Sequence, residues 1–372
     1  MYTPLLIALY VASLALFCLL AKRLPILSPE AQHRVSALDG LRGLLATAVV
    51  VHHFTVYYFW RDTGLWQTTD SRLINNMGAV PVSLFFMITG YLFARKVWRS
   101  DPLWTQVLVS RLKRIFPMYL FSVVLITAIA LYQTRAAPVD LGATLRGMAH
   151  WAIFSGVPIN GFADTTRINA GVQWTLLYEA IFYLCLPVLY CLLRRRLALR
   201  PVLIGLLVLA CLWPEYQQHF SSRFSKLFIA GIAVAILEDW LRAKAFAYAH
   251  WRWSALALVL LAAGLASKSY SKVQMLLLAV PFALFVLGNS LQGLLEQRGM
   301  KILGEASFSI YLLHGSVIYL LFSVFSAFDF SARGVLDYAL WLPLVLGLVS
   351  TLSVATYWAV ERPFLIRRSV HR

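Results

Sequence analysis

Residues 36–54, SALDGLRGLLATAVVVHHF, decide how the chain is read. The stretch is apolar enough to begin a membrane-crossing helix, yet it holds Asp39, Arg42, His52 and His53. Arg42 and His53 stand 11 residues apart. On a helix that is three turns plus about 20°, so they share one face with about 16 Å between them. Asp39 lies near that face too, about one turn earlier, while His52 is rotated by about 100° and points elsewhere. A charge at the centre of a membrane helix costs at least about 2.5–3.5 kcal/mol on insertion scales, so intramembrane polar groups usually face a cavity. An anchoring arginine with a packing histidine accounts for this spacing as well as a reacting pair does, and the rest of the chain has to choose.

The 372 residues are 60% hydrophobic and only 13% charged, with mean hydropathy +0.72, whereas a soluble domain has about a quarter charged residues. Apolar segments recur near 2–21, 38–59, 73–94, 115–133, 172–193, 201–216, 225–241, 252–267, 273–289, 302–325 and 335–359. Segments of about 20 residues can cross a hydrocarbon core of about 30 Å. The chain therefore reads as an all-α, polytopic transmembrane helical bundle of about 11 spans, with no strand-like alternation and no large soluble insert. The net charge of +17 does not signal nucleic acid, because the basic residues gather at helix ends, where they report orientation. With the N-terminus outside and the C-terminus cytoplasmic, 23 Lys and Arg fall in cytoplasmic segments and 10 in external ones. The runs RRRLALR (194–200) and RPFLIRRSVHR (362–372) are then both inside. The first twenty residues lack a basic leader and precede Lys22 and Arg23, the pattern of a retained helix rather than a cleaved signal. Cys18, Cys185, Cys191 and Cys211 lie in or near apolar stretches without a CxxC spacing, so no disulfide framework is indicated. The external segment 134–171 is too polar to span and too apolar for a simple linker. It reads as an interfacial or re-entrant cap over an outward-facing cavity.

Two further spans carry polar groups at the depth of His53. In GVQWTLLYEAIFYLCLPVLY (171–190), Glu179 lies about 10 Å below the outer end and must be paired or neutral. Trp174 opens that helix, where a single tryptophan also suits an interfacial belt. In ILGEASFSIYLLHGSVIYLLF (302–322), His314 falls near the midplane with Tyr311 one turn before it. A histidine there could simply bond a neighbouring helix, but three spans bringing His53, Glu179 and His314 to one depth suggest a polar chamber inside the bundle. SRLKRIFPMYL (110–120) places Arg111 and Arg114 on one helical face at i and i+3. Guanidinium forks there suit phosphate, although orientation alone accounts for generic basic residues, and Pro117 could open that helix end. Phosphate-loop, GxSxG, HExxH and zinc-ligand spacings are all missing, so neither serine-hydrolase nor metal chemistry has support.

Together these residues resemble the acyltransferase family 3 integral membrane proteins, whose members O-acylate sugars and other acceptors. LDGLRG with the Arg42-to-His53 spacing resembles the family's opening signature. VSLFFMITGYLF, RLKRIFPMY, WTLLYEAIFY, LGEASFSIYLLHGSV and ERPFLIRR follow in the family's order, covering about residues 36–368. Two positions depart from the pattern: Ser83 stands where the family commonly has an acid, and Thr89 where serine is usual. Residues 1–35 would be an extra N-terminal helix and linker ahead of the ten family-type spans, and residues 36–372 the acyltransferase membrane domain. The resemblance implies a bacterial inner-membrane enzyme that takes an acyl group, commonly acetyl, from cytoplasmic acyl-CoA. The acceptor would be a hydroxyl of an envelope polysaccharide or lipid-linked glycan, such as lipopolysaccharide O-antigen or exopolysaccharide. Its partners are then acyl-CoA, glycan and lipid bilayer, without nucleic acid, with acetyl-CoA as co-substrate and neither metal nor tightly bound cofactor. On this reading the catalytic residues are His53, Glu179 and His314, the donor-binding residues Arg42, Arg111 and Arg114, and the candidate acceptor-site residues Tyr311 and Trp174. The rival class is a transporter or exporter of glycan or glycolipid without acyl-transfer chemistry.

Overall fold

A computed structural model of the chain describes residues 2–22, 36–194, 198–216, 220–243 and 248–365. The expected linker from 23 to 35, and residues 195–197 and 366–372 of the two basic runs, lie outside the described residues. Among the described residues the regular structure is helical, apart from one isolated bridge between Ile159 and Phe162. Among the described residues seven helices are long and apolar enough to cross a membrane: Tyr2–Ala21, Ala37–Thr63, Arg72–Arg99, Trp104–Gln133, Trp174–Arg194, Ser307–Val324 and Val335–Leu365. The other four expected spans are helical as well. Leu199–Cys211, Trp251–Ala266 and Lys272–Val286 are shorter apolar helices. Ser222–Ala243 has the length, but Arg223, Lys226, Glu238, Asp239 and Arg242 leave it an uncharged stretch of only Leu227–Leu237. Of the eleven expected spans, seven thus have the length and apolarity of a full crossing, and the other four are helices that are shorter or more charged.

The helices are α1 (Tyr2–Ala21), α2 (Ser36–Thr63), α3 (Arg72–Arg99), α4 (Trp104–Gln133), α5 (Leu141–Ala152) and α6 (Thr165–Ile168). They continue as α7 (Trp174–Arg194), α8 (Leu199–Tyr216), α9 (Ser222–Ala243), α10 (Trp251–Ala266), α11 (Lys272–Val286) and α12 (Arg298–Glu305). The last are α13 (Ser307–Tyr319), α14 (Val335–Ala339), α15 (Leu342–Thr356) and α16 (Arg362–Leu365). Helix α4 runs unbroken through Pro117, so the proline does not open the helix end carrying Arg111 and Arg114. The chain divides into two compact units, one of Met1–Pro81, Lys113–Trp174 and Gly293–Arg372, the other of Val82–Leu112 and Thr175–Gln292.

In the first unit α2 packs on α12 and α13, and α1 packs on α12 and α15. The extra first helix is tied in by a polar bond as well, since the Tyr10 hydroxyl donates to the Leu44 carbonyl at 3.0 Å. The crossing of α2 and α12 depends on glycines. A Cβ on Gly304 would stand 1.9 Å from the Asp39 carbonyl oxygen, and one on Gly43 would stand 2.5 Å from that of Met300. Small residues permit this backbone approach between membrane helices. Because the obstacle is backbone, no rotamer relieves it. Gly304→Ala is therefore expected to cost about 1–3 kcal/mol or more by overpacking, read as a lowered thermal midpoint of the purified protein with no compensating change in activity per folded molecule.

The segment from 134 to 171 is folded rather than extended. Asp140 caps α5 by accepting from the Ala143 amide at 2.8 Å, meeting a donor that a helix N-terminus otherwise leaves unpaired. Trp151 is fully buried, with its indole N–H on the Val157 carbonyl at 2.8 Å and its own carbonyl accepting from the Tyr119 hydroxyl at 2.5 Å. A Cβ on Gly315 would lie 2.3 Å from the Asn169 carbonyl carbon. The end of this segment is thereby seated directly on α13.

The second unit is bound by aromatic stacking, with the ring centroids of Phe86 and Phe228 4.6 Å apart and those of Phe182 and Phe228 4.5 Å apart. Glu238 is fully buried and explains the charged end of α9. Its carboxylate accepts from the Tyr91 hydroxyl at 3.1 Å and from Arg242 Nε at 3.0 Å, with Arg95 and Arg99 at 3.3 and 3.7 Å. A buried charge persists only when paired and hydrogen-bonded in this way.

Candidate active site

Helices α2 and α13 bring His53 and His314 into contact, with His314 Nε2 2.9 Å from His53 Nδ1. The expected meeting of these two residues therefore holds. His314 Nδ1 faces the carbonyl of Ile310 at 3.1 Å, and a ring nitrogen facing a carbonyl must carry the proton. In the neutral pair His314 Nε2 is then an acceptor, His53 Nδ1 is the donor to it, and the lone pair of His53 lies on Nε2. Exposure divides the pair in the same sense: His314 is fully buried, whereas His53 is half-buried. One imidazole is thus placed to react and the other to orient it. His52 turns away as its helical position requires, with Nδ1 3.1 Å from the Ile74 carbonyl.

Tyr311, one turn before His314, donates its hydroxyl to the Val172 carbonyl at 3.4 Å. Its ring packs with Val49, Ala170 and Val172. Trp174 is half-buried at the start of α7.

Two π-helical turns flank the pair within the first unit. The turn Leu320–Val324 continues α13 and sets the Ser323 hydroxyl against that of Tyr57 and 2.9 Å from Arg61 Nη1. The turn Tyr357–Glu361 continues α15 and sets the Glu361 carboxylate on the Ser309 hydroxyl and 3.2 Å from Arg114 Nη1. Such turns occur frequently at functional sites. Arg42 Nη1 lies 3.8 Å from Asp39. One of the expected donor-binding arginines, Arg114, is therefore paired with a carboxylate that is not among the expected site residues. The available signal was ERPF at the end of the last span, which places an acid where a membrane helix has few reasons to hold one.

Glu179 and Arg111 belong to the second unit. Glu179 accepts from the Thr89 hydroxyl at 3.1 Å and the Tyr183 hydroxyl at 3.2 Å. The Arg111 guanidinium lies 4.9 Å from the Phe93 ring centroid and 6.0 Å from that of Tyr183. Thr89, one of the two departures from the family pattern, thus supplies a hydroxyl where serine would supply the same bond.

A half-buried imidazole bonded to a fully buried one thus lies where two helices long and apolar enough to cross a membrane meet. The acyltransferase domain family matches residues 35–359, and the chain belongs to it. Acyltransferase MdmB of Streptomyces mycarofaciens is 26% identical over 167 residues, 44% of this chain and 41% of that protein. O-acetyltransferase PaAT-1 of Phomopsis amygdali is 42% identical over 72 residues, 17% of this chain and 14% of that protein. The matched region therefore spans less than half of either relative. No solved structure matches the chain.

Proposed function

We propose that the chain is an acyl-CoA-dependent O-acyltransferase of a bacterial inner membrane, moving an acyl group, acetyl in the simplest case, onto a hydroxyl of an envelope glycan. The observation that carries this reading is the 2.9 Å contact of His53 Nδ1 with His314 Nε2, which in the neutral pair leaves the lone pair of His53 on Nε2. His53 Nε2 takes the acceptor's hydroxyl proton as that oxygen attacks the thioester carbonyl. The carbon–sulfur bond then breaks, and the imidazolium returns the proton to the departing CoA thiolate. A histidine suits both steps because its unperturbed pKa lies near neutrality. His314 positions the base, and Glu179, held by Thr89 and Tyr183, balances charge or relays the proton.

Arg42, Arg111 and Arg114 hold the CoA phosphates, with Glu361 fixing the fork of Arg114. Tyr311 and Trp174 border the acceptor. Eleven crossings, with the N-terminus outside and the C-terminus cytoplasmic, put the arginines on the side where CoA is made and residues 134–171 on the side of the glycan. Residues 1–35 form an added helix and linker ahead of the acyltransferase membrane domain, 36–372. The test is incubation of membrane vesicles containing the protein with acetyl-labelled acetyl-CoA and envelope polysaccharide. Label is expected in the polysaccharide as an alkali-labile ester. Glycan crossing the membrane with acetyl-CoA intact would instead establish an exporter.

A further inference from the structure

A cavity of about 520 Å³ in the first unit is lined by residues that include Trp60, Arg61, Gln133, Asp164, Tyr319 and Ser323. It lies beyond the histidine pair on both helices, at the end away from Arg42. Trp60 is about 10 Å further along α2 than His53, and Tyr319 about 7 Å further along α13 than His314. An aromatic wall at this place suggests a platform for a sugar ring, but Trp60 is only 7% exposed and its surroundings are filled. Arg167 lies 4.9 Å and Arg61 5.9 Å from its ring. Tyr319 is nearly parallel at 6.3 Å and Trp66 edge-on at 5.6 Å. The indole therefore serves to hold guanidiniums by cation–π attraction.

The two guanidiniums are not equivalent. Arg167 is paired with Asp164. Arg61 donates to the neutral Ser323 hydroxyl and lies 5.2 Å from the Phe330 ring, and among the described residues no carboxylate forms an ion pair with it. Asp164 also lines the cavity, but its carboxylate is taken up by Arg167, which leaves Arg61 as the lining's cation without an ion-pair partner among the described residues. Gln133 Nε2 donates to the Tyr319 hydroxyl at 3.3 Å, so that hydroxyl can pass a proton donor into the cavity. On the outer side of the proposed topology, where basic residues are the minority, orientation gives no reason for a guanidinium fixed in this way.

We infer that this cavity binds an oxyanion, a carboxylate or phosphate carried by the acceptor glycan, with Arg61 as the residue that selects for it. The inference rests on the acyl-transfer reading for the identity of the acceptor and adds its charge. The separation from His53 places the anion further along the acceptor than the hydroxyl that reacts. A guanidinium fork with free N–H groups matches carboxylate and phosphate alike.

Saturation-transfer NMR on the full chain in phosphatidylcholine nanodiscs tests this, with glucuronate, glucose 6-phosphate and glucose as probes. The two acidic probes are expected to saturate and compete with each other, with glucose binding at least about tenfold more weakly. Arg61→Gln should weaken the acidic probes by about tenfold and Arg61→Lys by much less, because a lysine keeps the charge. Equal binding of glucose and glucuronate, or full binding by a folded Arg61→Gln protein, overturns the inference. So does loss of acidic-probe binding when phosphatidylglycerol is added to the nanodisc, since the occupant would then be a lipid headgroup. If Arg61→Gln does not fold, the comparison of glucose with glucuronate on the unmodified protein still decides. Labelled acetyl transfer is followed separately, so binding without turnover would count against the acyltransferase reading alone, and turnover without selective binding against the anion site alone.

Discussion

His53→Ala is expected to lower acyl transfer by about 10²–10⁴-fold, the usual contribution of a positioned general base, while leaving a folded protein. The alanine removes the only ring nitrogen of the pair that is free to accept a proton, and His53 is half-buried, so little core is lost. His314→Ala should also reduce the rate, by freeing the His53 ring to rotate and change tautomer. The double variant should be no slower than His53→Ala alone, because residues that act as one unit are not additive. Rates with labelled acetyl-CoA and polysaccharide, alongside thermal midpoints, measure this. A folded His53→Ala protein with full activity would remove the imidazole from the mechanism.

The second large effect concerns stability. Glu361 is 1% exposed and faces Arg114 at 3.2 Å, with the Ser309 hydroxyl also bonded to it. Removing one partner of a buried ion pair strands the other, at a cost of about 3–5 kcal/mol. Glu361→Ala is expected to approach that cost, somewhat reduced because the Arg114 side chain remains 18% exposed. Arg114→Leu combined with Glu361→Leu should cost less than the sum of the single changes, the signature of a direct interaction. Denaturant midpoints of the single and double variants decide it, and strict additivity would mean that the pair does not interact. Arg114→Leu in the Glu361→Leu background, where no carboxylate is stranded, should in addition weaken acyl-CoA binding per folded molecule measured by calorimetry, which a purely structural arginine would not do.

Much of this architecture is legible in the residues because membrane helices expose their exceptions. His53, Glu179 and His314 stand out as polar groups in apolar spans, and helical periodicity alone puts His52 on a different face from His53. The hidden part is long-range. Ser309 and Glu361 lie 52 positions apart in the chain, and although the acid of ERPF is unusual at a span's end, nothing local names its partner. Glu179 reads correctly as a residue needing partners, but its partners, Thr89 and Tyr183, are a departure from a pattern and one tyrosine among many. The segment 225–241 reads as a span in the sequence, whereas the charges at the end of α9 have a partner-based reason that only the structure gives, since Glu238 gathers Arg95, Arg99 and Arg242. The π turns were unreadable because a 3.6-residue template carries no sign of where a helix widens.

Those turns have a consequence for how such an enzyme can diversify. A π turn is in effect a one-residue insertion accommodated inside a helix, so it can be gained or lost without redrawing the bundle. Excising a single residue from Leu320–Val324 would rotate the downstream residues by about 100° and retract Ser323 from Tyr57 and Arg61, while His314, upstream of it, kept its register. The same change in Tyr357–Glu361 would withdraw Glu361 from Arg114 on a different helix from either histidine. The groups on either side of the imidazole pair are therefore hung on separable indels, leaving lineages free to retune one without recasting the centre between them.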